Sequence, residues 1–157
     1  MKKIISALIP LLLFCGNLYA VDEFATLKCG SYIAETLIGK RMSNEPAATT
    51  EARHKDLDLK DLGADEINDT MNTISWSICG KEYMVLESKS VIRDVIPFPP
   101  HSKSSPQISV PCVQNGVTIK EAVVGVLGAK QAWKIDEKNA KFVKLSTDGL
   151  SCSQSQE

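Results

Sequence analysis

A surplus of charge of either sign is absent from this sequence: its 157 residues carry 18 basic and 19 acidic side chains, a formal −1. That near-balance leaves no electrostatic footprint for nucleic acid or for an anionic membrane surface, so neither is an expected partner. Long apolar runs are missing as well. The N-terminal run from Ile4 to Cys15 covers 12 residues, is interrupted by Ser6 and Pro10, and is too short to span a bilayer. Histidine is reduced to His54 and His101, and aromatic residues make up only 6% of the chain. The motifs GxSxG, SxxK, HExxH, a Gly-rich phosphate loop and paired CxxC are all lacking. Their absence removes the common hydrolase, zinc-peptidase and nucleotide-binding signatures, so no catalytic residue and no cofactor is expected.

What is present fits a single exported domain: 43% of the residues are apolar and 24% charged, the balance of a globular chain. Residues 1–20 read as a signal peptide, with Lys2 and Lys3 as its charged start, the Ile4 to Cys15 run as its apolar centre, and Ala20 as the small residue before cleavage. This pattern predicts a periplasmic address. The alternative is a lipoprotein attached through Cys15, against which stands the bulk of Phe14 just before it. Cleavage after Ala20 removes two lysines and no acid, leaving 16 basic against 19 acidic residues, or −3. Residues 21–157 then form one domain, with 43–61 as a polar surface loop and 153–157 as a flexible tail.

Cleavage also removes Cys15 and leaves Cys29, Cys79, Cys112 and Cys152. An even number of cysteines in an oxidising compartment reads as two disulfides. The gaps of 50, 33 and 40 residues do not suit a metal site, which needs ligands at short spacing. Three pairings are open; Cys29 with Cys79 and Cys112 with Cys152 is favoured, because each closes one half of the mature chain. A calcium site on Asp56, Asp58, Asp61, Asp65, Glu66 and Asp69 fails on spacing, since an EF-type loop beginning at Asp56 would put Asp61 where glycine is needed.

The patterning predicts a mainly β fold, or α+β with one or two short N-terminal helices: a small antiparallel domain, sandwich or barrel-like meander, stapled by the two disulfides. Ile74, Trp76 and Ile78 alternate with Thr73, Ser75 and Ser77, and Gly80-Lys81 separates them from Glu82 to Glu87, which makes a hairpin. Gln107 to Val113, the Asn115-Gly116 turn, Val117 to Leu127, Ala132 to Ile135 and Lys141 to Leu145 continue as strands, with Gly125 and Gly128 marking an end or a bulge. Residues 24–38 fit strand or helix, with Gly39 able to cap a helical turn over Tyr32 to Ile38. Asp65 to Met71 allows a short helix.

His54 lies in a charged run next to Arg53 and Lys55. A lone histidine in such a run is expected to be solvated rather than catalytic. The segment from Arg93 to His101 is more informative, because Pro97, Pro99, Pro100 and Pro106 exclude a helix and a central strand and predict a stiff loop. Such a loop either folds Ile96 and Phe98 onto the core as a lid or presents them to a partner at reduced ordering cost. The candidate binding residues are therefore Arg93, Asp94, Ile96, Phe98 and His101. In layout the chain resembles the periplasmic lysozyme inhibitors, exported β-rich domains with two bridges, although it lacks the tryptophan, lysine and glycine signature of the membrane-bound group. The expected function is a binding protein of the inhibitor or immunity type that occludes another protein. The alternatives are a cell-envelope structural or accessory protein and, behind it, an enzyme of unrecognised type. Monomer and homodimer are equally compatible with these features.

Overall fold

The structure, a computed structural model, describes residues 22–99, 111–126 and 130–152. Three small antiparallel sheets hold 49% of the described residues, with two disulfides and few short helices. The central sheet has four strands in sequence order, β1 (Lys60–Asn68), β2 (Met71–Ile78), β3 (Lys81–Ser88) and β4 (Val91–Pro97). Strand β5 (Cys112–Gln114) lies between β10 (Leu150–Cys152) and β6 (Val117–Ile119). The remaining sheet is a meander of β7 (Val123–Val126), β8 (Gln131–Asp136) and β9 (Lys141–Leu145).

Side-chain alternation divides the central sheet into two faces. Pairing Trp76 with Tyr83 and Ile74 with Val85 puts those side chains on one face. They are covered by the N-terminal segment, whose Phe24, Leu27, Ile33, Leu37, Leu57 and Leu59 complete one core cluster. The opposite face presents Met71, Met84 and Leu86 to Val124, Trp133 and Ile135 of the β7–β9 meander. The result is three layers, with the central sheet between a helical segment and a second sheet.

The N-terminal layer holds α1 (Ile33–Leu37) and α2 (Ala47–Arg53), followed by a 3₁₀ turn over Lys55–Leu57. Within residues 24–38 only Ile33–Leu37 are helical and 24–32 are turns and irregular chain; Ile38 caps α1 with its N–H on Ala34 O, and Gly39, at φ +85°, follows it and turns its own N–H to Ile92 O. The polar stretch 43–61 is not the surface loop that its composition suggests. It contains α2 and the 3₁₀ turn, and Thr50, His54, Leu57 and Leu59 within it are buried. Leucines spaced two apart between acids were enough to anchor it. The short helix expected over Asp65 to Met71 is also absent. Residues 60–68 are a strand along the sheet edge, because cross-strand pairing of Asp65 with Thr73 and Ala64 with Ile74 outweighs the local Ile67–Met71 spacing.

Both disulfides join the expected partners, Cys29 to Cys79 and Cys112 to Cys152. The first links the N-terminal layer to the β2–β3 turn. The second ties β5 to β10, whose cysteines are directly opposite in the ladder. The stretch from Val117 to Leu127 is divided between two sheets, with the break at Lys120 to Ala122, while Leu127 and Gly128 lie outside the described residues. Gly125 sits inside β7 rather than at a bulge: a Cβ there would come within 2.6 Å of the Gln131 carbonyl oxygen, so the close approach of β7 and β8 requires glycine. Of the strand expected over Gln107 to Val113, Cys112 and Val113 are in β5; residues 107–110, like residues 1–20 with Cys15 and the tail 153–157, lie outside the described residues.

Candidate functional site

Most of the segment expected to be a proline-stiffened loop is strand β4, at the edge of the central sheet. Its prolines tolerate this because Pro97 ends the strand and an edge position needs no second row of backbone donors. Arg93, Asp94, Ile96 and Phe98 consequently have defined surroundings. Arg93 is exposed at a β-bulge, where Leu86 pairs with Asp94 but Glu87 pairs with Ile92. Asp94 is half-buried, and its carboxylate accepts the backbone N–H of Phe142 at 2.8 Å and of Val95 at 3.0 Å. It therefore joins β4 to β9. Ile96 packs against the Met71 and Met84 cluster, and Phe98, 5% exposed, belongs to that cluster with its ring 5.9 Å from Trp133. His101 lies outside the described residues.

Phe98 and Pro97 also form the wall of a cleft of about 530 Å³ at the β2–β3 turn end of the sheet. Leu62 adds a second apolar wall, and Gly80 at the turn leaves its mouth clear of side chain. Register explains why these residues meet: Lys60 is opposite Ser77, and Ser77 is opposite Glu82, so three strands contribute to one face at one end. Two cations stand at the rim. Lys60 is paired with Asp58 at 3.2 Å, whereas Lys81 has no ion pair among the described residues. The arrangement can receive an apolar side chain and hold a carboxylate or carbonyl beside it, and its size is that of a small-ligand or anchor-residue pocket.

Of these lining residues, Phe98 was accessible to sequence reasoning and Lys60, Leu62 and Lys81 were not. The signal that would have found them is the register of the Trp76 hairpin, which fixes what surrounds Ser77 once β1 is recognised as a strand.

His54 differs from its expected solvated state: it is 8% exposed, and its Nε2 lies 2.8 Å from Asp22 Oδ1. Asp22 is 32 residues away in sequence, which is why inspection of neighbouring residues missed it. Arg53, held by Glu45 at 2.6 Å, also reaches Asp22 at 3.5 Å. Phe24 stacks edge-on against His54 at 5.8 Å and against Trp76 at 5.0 Å. This group fastens the start of the described chain to the end of α2. Glu23 beside it is buried, and burial raises its carboxyl above the ordinary value, although hydrogen bonds from Ser43 N–H at 3.1 Å and Ser43 Oγ at 3.3 Å oppose that rise. Among the described residues no three or more His, Cys, Asp or Glu side chains gather as metal ligands, and no helix is long and apolar enough to cross a membrane.

No protein-family model matches the chain, and comparison with curated proteins and with solved structures finds no match in either.

Proposed function

We propose that this chain is an exported periplasmic binding protein of the inhibitor or immunity type, acting without catalysis by occluding a partner protein. The observation that carries the reading is the Leu62, Pro97 and Phe98 cleft with Lys81 at its rim. It is built on strands rather than mobile loops, and the adjoining turn is fixed by the Cys29–Cys79 bridge. A rigid recess holding an apolar wall beside one unpaired cation suits a partner's projecting side chain, because little ordering entropy is lost on binding. The signal-like N-terminus and the paired cysteines support the exported address.

A photo-crosslinking side chain at Leu62 or at Lys81, introduced in the producing cells, tests this. One discrete protein adduct should form from both cleft positions and not from Val117, which is 70% exposed on the β5–β6 hairpin. Identical adduct patterns from all three positions, or none from the cleft, would overturn the proposal. An adduct to a component of a large envelope assembly, rather than to a single soluble protein, would instead support the accessory role.

A further inference from the structure

A second cleft, of about 400 Å³, lies at the opposite end of the central sheet, where three hairpin turns converge. The β1–β2 turn brings Asn68 and Thr70, the β3–β4 turn brings Ser88 and Lys89, and the β8–β9 turn brings Glu137 to Ala140. Arg93 joins them from the β4 bulge, whose extra residue redirects the side chain out of the regular alternation. Lys89, Arg93 and Lys138 are exposed, and none has an ion pair among the described residues. The one carboxylate in the lining, Glu137, is engaged by Asn68 Nδ2 at 2.8 Å. A chain of formal charge −1 thus gathers three cations, against one carboxylate, in one recess.

The backbone under these cations is held in an unfavourable form. Lys89 and Ser90 have φ of 54° and 61°, and Ala140 has φ of 49°, a left-handed region that glycine would occupy without strain. The Lys89–Ser90 turn is maintained from below by Glu87, 7% exposed, which accepts the Ser90 N–H with one carboxylate oxygen and Asn72 Nδ2, at 2.8 Å, with the other. Thr70 O accepts the Lys89 N–H at 3.0 Å. Side chains retained where glycine would serve the turn better, over a buried carboxylate that fixes them, point to a role for the side chains themselves.

We propose that this cleft docks an acidic segment of a partner protein, an extended stretch carrying several Asp or Glu side chains across the three turns. Charge complementarity selects the carboxylates. The lining favours a peptide over a small anion: the Glu137 carboxylate can be satisfied by a backbone N–H and would meet a phosphate as repulsion, while the Thr70 and Ser88 hydroxyls can donate or accept with either. The surface lies at the far end of the sheet from the Phe98 cleft and does not depend on it.

Titration of the isotope-labelled protein with a hexaglutamate peptide, followed by NMR, tests the assignment. Amide shifts should concentrate at Lys89, Arg93, Lys138 and Asn139, and raising the salt from about 50 to about 300 mM should weaken binding several-fold. Reversing all three charges by Lys89→Glu, Arg93→Glu and Lys138→Glu should weaken it by about tenfold or more, while the milder pair Arg93→Gln with Lys138→Gln keeps the test available if the triple variant misfolds. No shift at these amides, or an unchanged affinity in a folded charge variant, would overturn the proposal. Inorganic phosphate shifting the same amides at lower concentration than hexaglutamate would overturn it equally, in favour of a small-anion site.

Discussion

Glu23 shows how a single buried group sets a pH dependence. Burial disfavours its charged form, so the folded chain holds the Glu23 proton more tightly than the unfolded chain does. The stabilisation from a protonated Glu23 is complete below the ordinary value of 4.5 and is lost as pH rises through the higher folded value. Glu23→Gln should therefore raise the melting temperature at pH 7 and leave it nearly unchanged at pH 4, where both side chains are neutral. Melts at the two pH values check this; an equal effect at both would assign the gain to packing. None of this was visible in the sequence, where Asp22 and Glu23 are two adjacent acids. Their partners, His54 and Ser43, are 32 and 20 residues away, beyond any local pattern. Phe98, by contrast, was legible as one of two alternatives, a core lid or a recognition residue, and it packs in the core.

At the scale of elements, the hairpins were legible because turn chemistry and alternation agree. Asn115-Gly116 adopts left-handed values of 49° and 81°, as such a dipeptide should. The edge strands were harder. Strand β1 exposes seven of its nine residues, so it has no apolar alternation to detect, and β4 carries a terminal proline that argues against a strand only in a sheet interior. Asp94 turns that edge into a junction, since its carboxylate accepts the Phe142 N–H. Asp94→Ala should cost about 1 to 3 kcal/mol, the penalty for a partly buried donor left without its partner. A shift in the denaturant midpoint, together with faster hydrogen exchange at the Phe142 amide, would report it; unchanged exchange there would show that water replaces the carboxylate.

For the whole molecule, the three-layer arrangement predicts unequal consequences for the two disulfides. By the chain-entropy model, loops of 50 and 40 residues each contribute about 4 kcal/mol. Replacing Cys29 and Cys79 together with Ala should additionally loosen the N-terminal layer from the central sheet and admit proteases to residues 22–59, whereas replacing Cys112 and Cys152 should leave that layer protected. Limited proteolysis followed by mass spectrometry distinguishes the two, and equal cleavage in both variants would contradict the layered reading. The mainly β class and the pairing of the cysteines were legible in composition and spacing. The division into three sheets was not, because the return of β10 to β5 rather than to β9 depends on long-range packing around Cys112, Val123 and Ala132.

That pairing also has a kinetic meaning. Cys29 joins Cys79 and Cys112 joins Cys152, so neither loop encloses a cysteine of the other bridge. When a chain from which Cys15 has been cleaved is delivered N-terminus first, Cys29 meets Cys79 before Cys112 has emerged, and an oxidase that simply joins thiols in their order of arrival reaches the native connectivity. Reshuffling of mixed disulfides, which runs from seconds to hours, is then unnecessary for this fold.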